Sequence, residues 1–393
     1  MAVRTLKDVD LAGKKVLVRV DFNVPIKDGK VTDSTRIEGA LPTIHHILSI
    51  PGTRVILMSH LGRPKGKRNP EMSLAPVASR LSELLGKKVA LAEDCVGAPA
   101  EKAVAALKPG DVLLLENLRF HPEEEANDPI FAKQLASLAD VYVSDAFGTV
   151  HRAHASTEGI TKYIPSVAGY LIEKEMKFFE PLLKNPVKPF VAIIGGAKVS
   201  TKIEVLENLI TKCTTLIIGG GMSYTFLKAQ GHAIGKSLVE EEYVQTASDL
   251  LRRGAELHVD ILLPLDHVVA SEFSESAKPE AVDGVNVPDG KIAMDIGPKT
   301  LAAMKSKIAG AKSLVWNGPM GVFEFDAFAT GTLETAKMVA DCAGTTVVGG
   351  GDSVAAVNKF HLADRIDHVS TGGGASLEYL EGKTLPGIAA LEK

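Results

Sequence analysis

Hydrophobic positions along this chain fall into short, nearly continuous runs, separated by polar turns and by longer stretches with helical spacing. In residues 1–165 the runs are VLVRV (16–20), VILMS (55–59), KVAL (88–91), VLLLENL (112–118) and VYVSD (141–145). Between them, stretches such as LAPVASRLSELLG and DPIFAKQLASLAD place apolar residues three and four apart, the period of a one-sided helix. Strands that are apolar on both faces and alternate with helices predict a parallel sheet covered on each side. The theme returns in FVAIIGGAKVSTK (190–202), TLIIGGG (215–221), DILLPLDHVVA (260–270), SLVWNGPMGVFE (313–324), TTVVGGGDS (345–353) and DHVSTGGGAS (367–376).

Between the two sets lies Pro165 to Pro189, where Ala168, Leu171, Ile172, Met176 and Phe179 form an apolar stripe and Glu173, Lys174 and Lys177 fall between them. This predicts an amphipathic connecting helix, with Pro165 before its start and Pro181, Pro186 and Pro189 at its end, because proline lacks an amide proton. The expected fold class is therefore α/β: two doubly wound, Rossmann-like parallel-sheet lobes joined by a connecting helix and hinge. Two domains also suit 393 residues, of which 45% are hydrophobic.

Composition adds a chemical difference between the halves. Residues 1–165 hold nine of the twelve arginines but only 11 of the 36 glycines and balance 22 Lys+Arg against 20 Asp+Glu, whereas residues 166–393 are glycine-rich and mildly acidic, with 22 against 28, for a total of −4. Guanidinium forks suit multiply charged carboxylates and phosphates, and glycine loops let backbone amides approach a polyphosphate. One anion per half is the expectation. Cys95, Cys213 and Cys342 are far apart with no C-x-x-C pair, so buried free thiols are expected, with neither a disulfide framework nor a zinc site. The charged N-terminus and the lack of an 18-residue apolar run predict a soluble cytoplasmic protein without a membrane partner. Nucleic acid is disfavoured as a partner by a sequence pI near 6.3, by 5% aromatics and by the lack of a polybasic tract.

In a parallel sheet, ligands gather at the carboxyl ends of the strands. In the first half those ends hold Asp21, Phe22 and Asn23, then Ser59, His60, Leu61, Gly62 and Arg63, then Arg119, then Asp145 through His154 with Arg152; Arg36 lies in the polar stretch after the first run. A single arginine is ordinarily a solvated surface residue, but recurrence at one end of one sheet describes a cationic mouth. HRAH (151–154) lacks the partners of a zinc motif and reads as an anion contact or loop polarity. In the second half, glycine follows five of the six runs within a few residues, where amides can line a phosphate at a helix start. Lys198 and Lys202 in GGAKVSTK are four apart, and share a face if a helix begins after the glycines. Asp352 in GGGDS is equally a candidate for holding Mg²⁺ and for a helix N-cap. GHAIGKS (231–237) is one residue short of a P-loop and reads as a surface turn, and no G-x-G-x-x-G or G-x-S-x-G motif explains the glycines.

Taken together, VDFNVP (20–25), SHLGRP (59–64), ENLRF (116–120), DAFGTVHRAHAS (145–156), GGAKVSTK (195–202), WNGPMGVFE (316–324), GGGDS (349–353) and STGGGAS (370–376) resemble, in order and over nearly the whole chain, the phosphoglycerate kinase family. Ser353 stands where the family commonly has threonine, and keeps the hydroxyl. The resemblance implies an N-terminal lobe (1–168) binding 3-phosphoglycerate or 1,3-bisphosphoglycerate and an interdomain helix (169–188). It further implies a nucleotide lobe (189–377) and a segment (378–393) returning to the first lobe. By motif match, Asp21, Phe22, Asn23, Arg36, His60, Leu61, Gly62, Arg63, Arg119 and Arg152 fall on the triose side. Gly196, Lys198, Lys202, Gly220, Gly221, Gly297, Asn317, Pro319, Glu324, Gly350, Gly351, Asp352 and Ser353 fall on the nucleotide side.

The implied activity is that of a monomeric glycolytic transferase: reversible, Mg²⁺-dependent, in-line phosphoryl transfer between 1,3-bisphosphoglycerate with ADP and 3-phosphoglycerate with ATP. Arg36, Lys198, Lys202, Gly373 and Gly374 are the expected catalytic positions and Asp352 the expected metal position. Phosphoryl transfer needs mainly alignment and charge neutralisation, which these residue types supply. The rival readings are another ATP-dependent carboxylate kinase, a two-lobed solute-binding protein and, more distantly, a nicotinamide dehydrogenase. No functional reading attaches to residues 271–295.

Overall fold

The computed structural model describes residues 3–392. Its first sheet is built from β1 (Lys15–Val20), β2 (Arg54–Met58), β3 (Val89–Leu91), β4 (Val112–Leu114), β5 (Val141–Asp145) and β6 (Ser166–Ala168), in the order β3-β4-β2-β1-β5-β6. Every pairing in it is parallel. Because side chains alternate across a strand, each run divides between two cores. Val16, Val18, Val20, Val55, Leu57, Val112 and Leu114 enter one cluster. Leu17, Ile56, Met58, Leu113 and Tyr142 enter the other. The uninterrupted apolar runs are thus required by two covered faces.

Local signals set the helix limits. Helix Ala75–Leu85 has Pro76 in its first turn and stops at Gly86, whose φ of 61° is left-handed. Helix Pro129–Ala136 starts on Asp128, whose carboxylate accepts from the amides of Ile130 and Phe131.

The second sheet contains β7 (Phe190–Ile194), β8 (Thr215–Ile218), β9 (Asp260–Leu262), β13 (Ser313–Asn317), β14 (Thr345–Gly349) and β15 (His368–Val369), all parallel, in the order β9-β8-β7-β13-β14-β15. The intervening β10 (His267–Ala270), β11 (Glu280–Val282) and β12 (Ile292–Ile296) form a separate antiparallel sheet, ordered β11-β10-β12. The stretch 260–270, one run in the sequence pattern, is therefore broken between two sheets. Pro264 has no amide to donate, and the buried carboxylate of Asp266 accepts from the amides of Lys299 and Thr300 at 2.8 Å each, which turns the chain away.

The described residues form two compact units, one running to Met176 and resuming at Thr384, the other spanning Lys177–Lys383. The returning segment is tied into the first unit: the Arg4 amide donates to Leu391 O at 3.0 Å and the Gly387 amide to Val150 O at 2.9 Å. The chain passes between the units within helix Tyr170–Lys184. Two details of the expected connector are corrected. Ala168 belongs to β6 and not to the helical stripe. Pro181 lies inside the helix and does not end it, since a proline near the last turn forfeits a single backbone bond and the Asn185 amide still reaches Pro181 O at 3.0 Å. No helix among the described residues is long and apolar enough to cross a membrane. Cys95 and Cys213 are buried free thiols, and Cys342 is half-buried.

Asp145, at the end of β5, is fully buried and accepts from the Leu171 amide at 2.8 Å, in the first turn of helix Tyr170–Lys184. A Cβ on Gly169 would stand 2.3 Å from its Oδ1, so only glycine fits beside it. Burial pushes this carboxyl up to about 7, against the lowering effect of Thr43 and the amides of Leu171 and Ile172. A carboxyl whose pKa rises on folding binds its proton more tightly in the native state, so stability falls as pH climbs from the unfolded value towards 7. Asp145→Asn keeps an acceptor oxygen but has no charge to bury. Its stability relative to the parent should rise between about pH 4 and 8 by on the order of 1–4 kcal/mol, read from urea unfolding. A difference independent of pH would mean that the carboxyl is already ionised in the fold.

Candidate active site

In the first unit, parallel pairing brings the carboxyl ends of β1, β2, β4 and β5 side by side. Arg19, charged but set within the apolar run of β1, is only 1% exposed. Its Nε donates to Ser156 Oγ at 2.8 Å, Nη1 to Val20 O at 2.5 Å, and Nη2 lies 3.2 Å from His60 Nδ1. Ser156 is in turn held by buried Glu124, which accepts from its amide at 2.9 Å and from its hydroxyl at 2.5 Å. Arg119, 7% exposed in the turn Leu118–Phe120, donates from Nη1 to Gly62 O at 2.9 Å, and the Gly62 amide donates to Asn23 Oδ1 at the same distance. Arg36 stands in the first turn of helix Thr35–Ser49, and its Nη1 meets Asp21 Oδ2 at 2.5 Å.

Arg63 and Arg152 are exposed, with Arg152 Nε donating to His151 Nε2 at 3.1 Å. Phe22 and Leu61 are placed differently from the motif expectation. Their side chains belong to the core, and their amides are already engaged by Ser59 Oγ and Asn117 Oδ1.

The histidines report the field in this region. Burial, followed by Arg19, Arg119, Arg36 and His154, holds His60 well below its ordinary value. Burial, followed by Arg19, Arg119, Arg152 and His151, brings His154 to about 4. Both rings are neutral at physiological pH because burial disfavours their charged form and the surrounding guanidinium groups add to that cost. Asp21, Glu124 and Glu125, whose Oε1 lies 3.5 Å from Arg119 Nε, offset only part of that charge. The region is chemically an anion receptor.

In the second unit, the loops after β7 and β13 meet where the strand order reverses. Contact is backbone to backbone: the Gly195 amide donates to Asn317 O at 2.9 Å and the Gly196 amide to Pro319 O at 3.1 Å. A Cβ on Gly195 would lie 2.1 Å from Pro319 O, and one on Gly318, where φ is 94°, would lie 2.1 Å from Gly195 O. The Gly220 amide is likewise spent on Met320 O at 3.1 Å. These glycines therefore dock loops on one another, and their amides are unavailable to a phosphate. The helices Gly351–Lys359 and Gly374–Leu380 begin differently, on Gly350 and Gly373 with no side-chain cap.

Lys198 and Lys202 do not share a helical face, because residues 197–202 are irregular and the helix starts at Ile203. Lys198 is exposed, whereas Lys202 is partly buried with Nζ 2.5 Å from Asn317 Oδ1. Burial lowers the Lys202 ammonium below its ordinary value, opposed by the charges of Asp352 and Glu381. Asn317 Nδ2 donates to Gly349 O at 2.8 Å, and Ser353 Oγ accepts from the Gly318 amide at 2.5 Å. Asp352 is not an N-cap: Gly350 is, and Asp352 lies exposed in the first turn.

Beside this cluster is a cavity of about 260 Å³, lined by Gly196, Gly220, Gly221, Pro319, Glu324 and Asp352 of the expected set. Its apolar wall consists of Tyr224, Leu238, Phe273, Ile292, Met294, Met320 and Val322, of which only Met320 and Val322 fall within a quoted motif. Phe273 and Ile292–Met294 come from the 271–295 excursion, which thereby acquires a place. The only advance signal was the apolar IAMDI run before a glycine. Gly297 is not part of this lining, and packs against the Asp266 carboxylate.

A profile of the phosphoglycerate kinase family matches residues 6–383. The chain belongs to that family. It is 60% identical over its whole length to all of a protein named phosphoglycerate kinase from Borrelia hermsii, and 62% identical to one from Moorella thermoacetica, covering 99% of it. Among solved structures, the phosphoglycerate kinase of Coxiella burnetii superposes with a TM-score of 0.92 at 45% identity, with 99% of each chain covered. That of Pyrococcus horikoshii does so at 0.85 and 33%, covering 99% of this chain and 98% of that one. The solute-binding and dehydrogenase readings are thereby set aside, and the two parallel α/β sheets are those of phosphoglycerate kinase structures.

Arg19 is the residue that motif reasoning passed over; its only signal was a charge in the middle of VLVRV. Arg19→Met should cost about 3–5 kcal/mol in urea unfolding, because it strands the buried Glu124 carboxylate. Adding Glu124→Gln should recover part of that loss. Two independent, additive losses would show that the groups are not coupled.

Proposed function

We propose that the chain catalyses reversible phosphoryl transfer between 1,3-bisphosphoglycerate and ADP, yielding 3-phosphoglycerate and ATP. The observation that carries this reading is the group of four arginines around two neutral histidines, a receptor suited to a small ligand with a carboxylate at one end and a phosphate at the other. In the forward direction the bond from phosphorus to the acyl oxygen breaks while one to the ADP β-phosphate oxygen forms. In reverse, the attacking carboxylate is already ionised near neutral pH, so no general base is needed.

Within this reading, Asp21, Asn23, His60, Arg63, Arg119 and Arg152 bind the triose, and Asp21 holds the Arg36 guanidinium ready for the moving phosphoryl group. Lys198 is the counterpart on the nucleotide side, while Lys202, steadied by Asn317, faces the nucleotide phosphates. The uncapped helix starts at Gly350–Gly351 and Gly373–Gly374 offer further amides. The cavity suits a purine base against its apolar wall, with Glu324 at the ribose.

Asp352 fits Mg²⁺, which takes hard oxygen donors and often binds through one carboxylate plus substrate phosphates and water. Its carboxylate is exposed at the cavity edge, close enough for its charge to act on Lys202. The ion would neutralise phosphate charge during transfer. In-line transfer needs the two substrates aligned, which makes the connector around 165–189 part of a hinge in this reading. The chain is taken as a cytoplasmic monomer on the family alone.

Purified protein with 3-phosphoglycerate, ATP and Mg²⁺ should form an acyl phosphate, read through a coupled NADH-dependent dehydrogenase, and omission of any one component should abolish the signal. ATP binding without turnover would redirect the search to other carboxylate acceptors. Arg36→Ala should lower kcat by about 100-fold or more while nucleotide affinity stays within a factor of about three. Equal losses in both would count against Arg36 as a contact to the transferred group.

A further inference from the structure

Outside both clusters, the first unit gathers three side chains that are scattered in sequence. Asp94 and Cys95 lie in the loop after β3, and His121 follows the turn that carries Arg119. One ligand atom from each, carboxylate oxygen, thiol sulfur and imidazole nitrogen, lies within 4.8 Å of the others. Asp94 Oδ1 stands 2.7 Å from His121 Nε2 and accepts from the Cys95 backbone amide at 2.6 Å, which fixes the carboxylate beside the imidazole. The imidazole is oriented by Phe131, whose ring centroid is 5.3 Å away. Cys95 is wholly buried, whereas the Asp94 and His121 side chains are 30% and 28% exposed, leaving one open side.

We propose that Asp94, Cys95 and His121 form a binding site for a borderline-soft divalent cation of the zinc class, completed by a water on the open side. A donor set of one sulfur, one imidazole nitrogen and one carboxylate oxygen is that of a four-coordinate zinc-type centre and unlike the all-oxygen shell of Mg²⁺. Burial, followed by the Asp94 and Glu124 carboxylates, holds the Cys95 thiol well above its ordinary value, so a metal must displace a firmly held proton, while the same two carboxylates favour a cation. Uptake exchanges the thiol proton for the metal: the S–H bond breaks, a sulfur–metal bond forms, and the proton leaves to solvent. The bound ion would staple the loop after edge strand β3 to the segment 118–125, which carries both Arg119 and Glu124. A simple His–Asp ion pair is the competing account of the same contacts.

The test uses the purified full chain with Co²⁺ as the probe and Zn²⁺ as the competitor. The expected result is one equivalent of Co²⁺ bound, with a thiolate-to-cobalt charge-transfer band that Zn²⁺ displaces and a metal-dependent rise in melting temperature. Cys95→Ser should abolish the band, and His121→Gln, a change at a partly exposed position, should weaken binding by more than about tenfold while the fold is retained. Cys342→Ser should leave the band intact. Failure of the parent chain to develop the band overturns the site, as does a band that survives Cys95→Ser or disappears with Cys342→Ser.

Discussion

A guanidinium with 1% of its surface exposed sits inside the central strand of the first sheet, and much of that unit's chemistry is arranged around it. Burying an unpaired charge is prohibitive, so Arg19 demands acceptors, and the fold delivers Ser156, the Val20 carbonyl and a neutral His60. Glu124 is drawn into the interior to balance it through Ser156. The consequence is a fixed positive potential that water cannot screen well. Arg36, Arg119 and Arg152 then add to a field whose centre is already set, and the histidines, disfavoured as cations first by burial, stay neutral.

The second unit is organised by other means. Its loops are pressed together so closely that side chains are excluded, as at Gly195 and Gly318. Those glycines do not wrap a phosphate; they allow two strand ends to share backbone hydrogen bonds, and the resulting platform carries Lys202, Asn317 and Ser353 on its edge. Charge is concentrated in one unit by buried arginine and, in the other, by a few cations set on tightly docked backbone.

Both parallel sheets were legible in the sequence because a strand covered on two faces has no polar alternation to hide it. The arginine and glycine asymmetry was legible for a similar reason, since neither residue type is scattered at random. Whether a glycine amide is free or engaged was not legible, because that depends on which carbonyl a distant loop brings up, as Pro319 O does for Gly196. The spacing of Lys198 and Lys202 misled because it presumed a helix that starts only at Ile203. The cavity wall from 271–295 was invisible as function, since apolar residues lining a pocket are the same residues that fill a core. Arg19 lay in plain view, but its burial could be known only once Ser156 and Glu124 were brought beside it.

The small antiparallel sheet gives the second unit a division of labour. β10, β11 and β12 hydrogen-bond to one another and not to the parallel sheet, yet β12 and the loop bearing Phe273 supply much of the apolar wall of the cavity. The cations and glycine turns belong to a different stretch of backbone. A lineage could thus remodel the shape of the wall, by insertion or by exchange of side chains, without disturbing the ends of the parallel strands. Tolerance for change and intolerance of it thus sit side by side in space, although β12 and the glycine turns are far apart along the chain.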